Sequence, residues 1–324
     1  MTSLTLRAAA QRCGLRIGAA AAPQFLQQDP AYGATLAREF SMLTPENAMK
    51  AAPVHPAPER YAFAPAEALV AFAQQAAMAV RGHTLVWHQQ LPAWALAEGR
   101  GPREWRAFLE EHILAVAGHF AGKLAAWDVV NEAVADEGGL RDTPWLRALG
   151  PEYLEEAFRL AHAADPHARL FYNDYGAEGL NAKSDAVFAL ARQLVDRGVP
   201  LHGIGLQMHI PVDGGPPLDE LAANMERLGG LGLDVHVTEL DVRLPVPVEP
   251  AALERQARVY GDILDVCLAA PRCTALVLWG FTDCHSWVPA FFRGWDEALI
   301  FDREYRPKPA YQALLARLAR AARA

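Results

Sequence analysis

The sequence predicts a single α/β domain spanning residues 1–324 and folded as a (β/α)8 TIM barrel. Short apolar or β-branched runs alternate with longer amphipathic stretches, which is the rhythm of βαβ units around a parallel sheet. There are eight such runs, the number that closes a barrel. With 52% hydrophobic residues among 324 and no shift in composition, the chain can bury one large core.

The predicted elements alternate in order along the chain. The eight strands are expected at 15–20, 40–43, 80–87, 124–131, 169–173, 202–209, 233–239 and 274–279. The helices are expected at 65–78, 102–119, 151–164, 182–197, 218–228, 251–268 and 309–321. Several of these helices carry a proline near their first turn, as helix starts favour. The proline-rich segment 244–250 reads as a surface loop.

The composition argues against several classes of partner. A net charge of -8 disfavours nucleic acid, and no apolar run approaches the ~20 residues that cross a bilayer. Because the first residues lack a secretory apolar region, we expect a soluble chain as written. Four cysteines without a C-x-x-C pair indicate no zinc site, and we expect no metal and no cofactor. Cys267 and Cys273 flank a short turn, so they could form a disulfide or remain two buried thiols.

Two glutamates stand at the ends of predicted strands. Glu132 ends the fourth strand and Glu239 ends the seventh, each after a run of apolar residues. A strand buried on both faces avoids charge except where it emerges at its carboxyl end, where such barrels keep their active sites. The sequence therefore predicts that both carboxyl groups face the same mouth of the barrel.

A pair of carboxyl groups suits glycosidic bond cleavage, in which one protonates the leaving oxygen and the other attacks carbon or activates water. One carboxyl must keep its proton while the other stays ionised. His209 on the sixth strand could donate a hydrogen bond to Glu239, which makes Glu239 the expected nucleophile, and Trp127 offers apolar surroundings on the strand of Glu132. Asn131 could contact a sugar 2-hydroxyl, provided that the strand ends or bulges there.

Further polar and aromatic side chains stand at other strand ends. Trp87, Trp279 and Trp287 have flat faces that match the C–H faces of a pyranose, although a lone tryptophan can equally belong to the core. The polar residues at or near these strand ends include Glu46, Asn47, Lys50, His83 and Gln207. Any one of them could be a helix cap or a satisfied buried group, but together they predict a site.

These residues lie in segments that resemble the xylanases of glycoside hydrolase family 10. The segments are TPENAMK at 44–50, RGHTLVWH at 81–88, WDVVNE at 127–132, YNDY at 172–175, GIGLQMH at 203–209, TELD at 238–241 and WGFTD at 279–283. The resemblance covers nearly the whole chain. It implies a (β/α)8 barrel that hydrolyses internal β-1,4 bonds of xylan or xylo-oligosaccharides with retention, through a covalent glycosyl-enzyme.

The resemblance also implies roles for individual residues. Glu132 would be the acid/base and Glu239 the nucleophile, with Asn131 beside the scissile bond and Asp241 supporting His209. The residues that it places around the substrate are Glu46, Asn47, Lys50, His83, Trp87, Gln207, His209, Trp279 and Trp287. The family usually has an aromatic residue after its counterpart of Lys50, whereas this chain has Ala51, which alters the packing under the cleft.

The resemblance further implies a disulfide between Cys267 and Cys273, and hence an oxidising compartment. We therefore favour an extracellular or periplasmic protein whose leader is absent from this chain, with a cytoplasmic enzyme acting on imported xylo-oligosaccharides as the alternative. We expect a monomer.

Three alternative functions are consistent with parts of the sequence. A related retaining barrel that cuts β-1,4-glucans or aryl glycosides would use the same two glutamates. A metal-dependent hydrolase would use histidines near the strands, but it would need a His-x-His pair on the first strand, which contains no histidine. A carbohydrate-binding pseudoenzyme would have no reason to retain both glutamates.

Overall fold

The computed structural model describes residues 4–323 and has the predicted closed, parallel eight-stranded barrel. Neighbouring strands follow the order β1-β2-β3-β4-β5-β6-β8-β9, and β9 pairs again with β1 to close the ring. Two short strands lie outside the ring, and each pairs with an extension of β8. The strands are β1 Arg16–Ala21, β2 Met42–Pro45, β3 Ala79–Val86, β4 Ala126–Asn131, β5 Arg169–Asp174, β6 Gly203–Leu206, β7 His209–Pro211, β8 Asp234–Pro245, β9 Ala275–Leu278 and β10 Trp295–Asp296.

Helices cover the outside of the barrel and bury one face against it. They are α1 Leu6–Arg12, α2 Pro23–Gln28, α3 Pro30–Glu39, α4 Ala51–Val54, α5 Ala64–Gln75, α6 Pro102–His119, α7 Pro144–Leu149, α8 Tyr153–Ala164, α9 Ala182–Asp196, α10 Leu218–Gly230, α11 Pro250–Ala269, α12 Val288–Phe291 and α13 Pro309–Ala321. Many begin with proline at the first or second position, where its missing N–H costs nothing. Within residues 4–323 no helix is long and apolar enough to cross a membrane.

Two predicted strands were wrong in detail. The run at 40–43 is shifted, because Phe40 closes α3 and the strand begins only at Met42. The run at 202–209 is interrupted, because Met208 adopts a left-handed φ of 71° between β6 and β7. The buried carboxylate of Glu178 accepts a hydrogen bond from the Met208 amide at 3.0 Å, so the break is held by a specific contact.

The segment 244–250, predicted as a loop, is partly regular. Leu244 is fully buried near the end of β8, and α11 already begins at Pro250. Only 246–249 therefore form the connection. The reason is that β8 continues past the barrel rim, where it pairs with β7 and β10.

The barrel interior holds a buried cluster of charged groups. The Arg81 guanidinium donates hydrogen bonds to both carboxylate oxygens of Asp128 and also contacts Nδ1 of His236 at 3.1 Å. His83 Nδ1 donates to Oδ2 of Asp128 at 2.9 Å. Burial alone would raise the pKa of Asp128, but the charges and hydrogen bonds of Arg81 and His83 outweigh it and hold that pKa below its usual range. The carboxylate of Asp128 therefore fixes His83 at the base of the cleft.

Cys267 and Cys273 are both buried, and both are free thiols in the structure. A hydrogen bond from the Cys267 thiol to Cys273, together with burial, raises the pKa of Cys267 well above its usual range. Their oxidation to a disulfide, and with it the compartment of the protein, stays a prediction.

Candidate active site

A cleft of about 940 Å³ opens at the carboxyl ends of the barrel strands. All of the substrate-contacting residues predicted from the sequence line it, as do both glutamates. These residues are Glu46, Asn47, Lys50, His83, Trp87, Asn131, Glu132, Gln207, His209, Glu239, Trp279 and Trp287. Asp241, predicted to support His209, is fully buried behind that residue and does not line the cleft. The barrel thus brings together side chains from six of its strands and the loops that follow them.

Glu132 is the residue that follows the last residue of β4. The register of β4 shifts between Asp128 and Val130, and the strand ends at Asn131. Glu132 then takes a left-handed φ of 58°. Successive side chains of a regular strand point to opposite faces. Because the strand ends at Asn131, the side chains of Asn131 and Glu132 can both line the cleft.

Neutral donors surround the Glu132 carboxyl. Trp87 Nε1 donates to Oε2 at 2.9 Å, while Gln207 Nε2 and Asn131 Nδ2 donate to Oε1 at 3.1 and 3.2 Å. The aromatic neighbour is therefore Trp87, the residue that follows β3, and the expectation for Trp127 was wrong. Trp127 is fully buried and packs against Phe120, with ring centroids 6.5 Å apart.

Glu239 lies on β8 and is held by a chain of charged groups. His209 Nε2 donates to its Oε2 at 3.0 Å, and His209 Nδ1 donates to Asp241 Oδ2 at 2.8 Å. The indole of Trp287 donates to the same Asp241 oxygen at 2.8 Å. The imidazole therefore lies between two carboxylates. Its contact with Glu239 is the one expected from the order of the strands, and its contact with Asp241 is the one that the family resemblance implies.

This chain of contacts keeps Glu239 ionised. Burial would lower the pKa of His209, but the carboxylates of Asp241 and Glu239 raise it to about 10, so the ring is an imidazolium at neutral pH. Burial would likewise raise the pKa of Glu239, but the hydrogen bond from His209 and the nearby His83 hold it below its usual range. Glu239 is therefore ionised at neutral pH.

Two amide side chains connect the glutamates. Asn173 Nδ2 donates to Glu239 Oε1 at 2.7 Å and to Asn131 Oδ1 at 2.8 Å. Asn131 in turn donates to Glu132 at 3.2 Å. Asn173 is not among the site residues predicted from the sequence. Its signal was the YNDY segment on β5, whose register places Asn173 opposite Asn131.

One side of the cleft is built around Lys50. Its ammonium donates to Asn47 Oδ1 at 2.9 Å and lies 5.1 Å and 5.6 Å from the ring centroids of Trp87 and Trp279. Burial lowers the pKa of Lys50, while the carboxylates of Glu239 and its other acidic neighbours oppose that effect. A cation held between two aromatic faces offers a donor to a hydroxylated, neutral ligand.

The cleft also contains residues that the sequence did not single out. Tyr175, Leu180 and Asn181 come from the loop after β5, Arg243 comes from the extension of β8, and Phe291 comes from α12. Their placement depends on loop paths, for which the strand pattern gives no signal. Next to Lys50, where the sequence departs from the family pattern, Ala51 is buried at the start of α4.

Within residues 4–323 no group of three or more histidine, cysteine, aspartate or glutamate side chains is arranged to hold a metal ion.

Comparisons with known proteins agree on one family. Residues 5–317 match the model of glycosyl hydrolase family 10. The chain is 45% identical to endo-1,4-beta-xylanase B of Thermotoga neapolitana over 95% of its own length and 90% of that protein's length.

Solved structures give the same result. Xylanase 10B from Thermotoga petrophila, crystallised with xylobiose, is 45% identical and superposes with a TM-score of 0.97 over 99% of both chains. Native xylanase 10B from Thermotoga maritima is 46% identical, also with a TM-score of 0.97 over 99% of both chains.

Proposed function

Because the chain belongs to glycosyl hydrolase family 10, we propose that it is a retaining endo-1,4-β-xylanase. Its substrates are xylan and xylo-oligosaccharides, and it cleaves internal β-1,4 bonds by double displacement. The activities named for its Thermotoga relatives and the xylobiose bound to one of them support the choice of substrate. The tryptophan faces and the Lys50 ammonium along the cleft suit a neutral sugar chain.

The observation that carries the proposal is the difference between the two carboxyl environments. Glu239 receives a hydrogen bond from the His209 imidazolium at 3.0 Å, whereas the hydrogen-bond donors to Glu132 are an indole and two amides. A group that must stay ionised needs a positive partner, whereas a group that must exchange a proton does not. This difference supports Glu239 as the nucleophile and Glu132 as the proton donor.

The proposed reaction has two steps. Glu239 attacks the anomeric carbon while Glu132 gives its proton to the departing glycosidic oxygen, which forms a glycosyl-enzyme ester and frees the aglycone. Glu132, now ionised, then takes a proton from water as that water attacks the same carbon and releases Glu239. Retention requires the two carboxyl groups to lie about 5 to 5.5 Å apart, and the short amide connection through Asn131 and Asn173 supports such proximity.

The test is a product analysis on glucuronoxylan, with carboxymethyl cellulose as the comparison substrate. We expect a rapid fall in the viscosity of xylan, xylo-oligosaccharide products and much slower attack on the cellulose derivative. Proton NMR during the first turnovers should show the β-anomer of the new reducing end before mutarotation. An initial α-anomer would rule out retention, and faster cleavage of the cellulose derivative would rule out the xylanase assignment.

A further inference from the structure

Glu132 adopts a backbone conformation that glutamate rarely takes. Its φ of 58° lies in the left-handed region, where a side chain with a β-carbon is uncommon. Such a conformation persists only when the surrounding structure enforces it. The Glu132 amide is secured, because it donates to the carbonyl of Asn173 at 2.9 Å. The Glu132 carbonyl therefore needs its own partner on the opposite side of the residue.

That partner is Arg141, nine positions further along the chain. Its Nε donates to the carbonyl of Glu132 at 3.0 Å, and its Nη2 donates to the carbonyl of Val134, also at 3.0 Å. One planar guanidinium thus holds two carbonyls on either side of Ala133. A guanidinium presents its donors in a fixed fork, so these two bonds set the direction of the backbone as it leaves β4.

Arg141 is itself fixed in place by the segment that it holds. Its backbone amide donates to the carbonyl of Ala133 at 2.7 Å, and Val134 forms an antiparallel bridge with Leu140. The chain reverses through Gly138, whose φ of 88° favours glycine. Segment 132–141 is therefore a closed loop with the arginine side chain folded across its inside.

Side chains beyond the loop complete the environment of the guanidinium. Nη2 of Arg141 also donates to the hydroxyl of Tyr175 at 2.9 Å and to Asp136 Oδ1 at 3.2 Å. Asp136 also accepts a hydrogen bond from Lys183 at 3.0 Å, and the Lys183 side chain is buried. The loop is thereby tied to the segment after β5 and to α9, which fixes the backbone of Glu132 relative to the wall of the cleft.

We propose that Arg141 is a positioning residue for the proton-donating carboxyl of Glu132. It holds the left-handed turn that aims this carboxyl at the glycosidic oxygen, and it has no direct role in nucleophilic attack. The inference rests on the proposed role of Glu132 as the acid. Without the guanidinium, the Glu132 carbonyl loses its donor and the turn relaxes, so the carboxyl moves away from the leaving oxygen. A displacement of about 1 Å can cost as much as 10²-fold in rate.

The test uses the dependence of kcat/KM on the leaving group, because a good leaving group needs no proton. The substrates are 2,4-dinitrophenyl and unsubstituted phenyl β-xylobiosides. For Arg141→Met we expect a loss of roughly 10- to 100-fold on the phenyl substrate and little change on the dinitrophenyl substrate. The matched control is Arg147→Met, which removes an arginine of α7 that pairs with Asp142 on the surface. It should leave both rates unchanged.

Glu132→Ala provides the reference that separates this inference from the proposed function. It should show the same dependence on the leaving group more strongly, since general acid catalysis contributes about 10² to 10⁴-fold. If Glu132→Ala lowers kcat/KM equally on both substrates, the role proposed for Glu132 is wrong. Suppose that Glu132→Ala behaves as expected. The positioning role of Arg141 is then overturned if Arg141→Met lowers kcat/KM equally on both substrates, or lowers it on neither. Should Arg141→Met not fold, Arg141→Lys keeps the charge without the fork and must show the same pattern in smaller measure.

Discussion

At the scale of single residues, the two glutamates differ in the charge of their partners. Glu239 and Asp241 share the imidazolium of His209, through contacts of 3.0 and 2.8 Å. Glu132 has no such cation among its hydrogen-bond donors, which are Trp87, Asn131 and Gln207. Two identical side chains, on strands that β5 and β6 separate in the ring, therefore lie in different electrostatic environments.

The first prediction concerns His209→Asn. The amide could donate to only one of the two carboxylates and would carry no charge, so Glu239 would lose the positive partner that holds its pKa down. Because the folded pKa of Glu239 is depressed, the carboxylate is present above that pKa and lost as the pH falls through it. We expect the acidic limb of kcat/KM to move to higher pH, with a loss of roughly 10² to 10³-fold at neutral pH.

The measurement is a full pH–rate profile on xylo-oligosaccharides. His162→Asn is the control, because His162 is exposed on α8, outside the cleft. An unchanged acidic limb in His209→Asn would contradict the role assigned to the imidazolium.

Sequence alone identifies the site residues whose character conflicts with a buried strand. Glu132 and Glu239 stand out because a carboxylate ends an apolar run, and His209 stands out two positions beyond Gln207. Asn173 does not stand out in this way, since its importance comes from the β4–β5 register that sets it opposite Asn131. Arg141 is missed for a similar reason. In the sequence it cannot be told from a solvated loop arginine, because its contacts form only when the loop folds.

At the scale of elements, the glycines of β6 make room for the polar interior of the barrel. A β-carbon on Gly205 would lie 2.1 Å from Asn173 Oδ1, 2.8 Å from Thr238 Cγ2 and 3.1 Å from Arg81 Nη2. Asn173 also accepts a hydrogen bond from Thr238 at 2.7 Å, so it cannot move without breaking the connection between the glutamates. The absence of a β-carbon at Gly205 in β6 is thus required by the site as well as by the fold.

The second prediction follows for Gly205→Ala. The added methyl group should displace Asn173 and lower the free energy of unfolding by about 1 to 3 kcal/mol, with a loss of activity beyond that expected from the folded fraction. Urea unfolding followed by fluorescence, together with kcat/KM on xylo-oligosaccharides, measures both effects.

The control for Gly205→Ala is Gly118→Ala in α6. There a β-carbon would meet no atom within 4 Å, and alanine favours a helix by roughly 0.5 to 1 kcal/mol. We expect a small gain in stability and unchanged activity. Equal effects of the two substitutions would show that β6 tolerates a side chain at this position.

Prediction from sequence works best for long elements with regular periodicity. The helices α6 and α13 begin and end where the pattern places them, at Pro102–His119 and Pro309–Ala321. The helices α2 and α3 were not predicted, because they are short and follow closely on one another between β1 and β2. The break between β6 and β7 was also missed, since a left-handed methionine held by a distant glutamate leaves no local pattern.

At the scale of the whole molecule, the layer between barrel and helices contains a buried pair of histidines. His55 follows α4 and His112 lies in α6, and their Nδ1 atoms are 3.3 Å apart, close enough for one hydrogen bond. Tyr61 stacks on His55 with ring centroids 4.2 Å apart. Burial, together with the neighbouring His55, lowers the pKa of His112 to about 3, so the folded protein keeps this imidazole neutral in mild acid.

The third prediction is a loss of stability in acid that depends on His112. Between about pH 6.5 and 3 the unfolded chain binds a proton at this position that the folded chain does not bind. The free energy of unfolding should therefore fall with decreasing pH by up to ~1.4 kcal/mol per pH unit from this residue alone. In His112→Gln this part of the slope should disappear.

Urea unfolding at a series of pH values measures this slope. His167→Gln is the control, because His167 is exposed in the turn before β5, and it should follow the parent protein. Parallel slopes for His112→Gln and the parent would contradict the account of a neutral buried pair.

The central claim is that Glu239 attacks the sugar and carries it covalently. The most direct measurement is mass spectrometry after incubation with 2,4-dinitrophenyl 2-deoxy-2-fluoro-β-xylobioside. Its fluorine slows both formation and breakdown of the ester, whereas its good leaving group speeds only formation, so the ester accumulates. We predict one added fluoroxylobiosyl group per protein, located by peptide fragmentation on Glu239 and absent from Glu239→Gln. A label on any other residue, or no label while the inhibitor turns over, would contradict the claim.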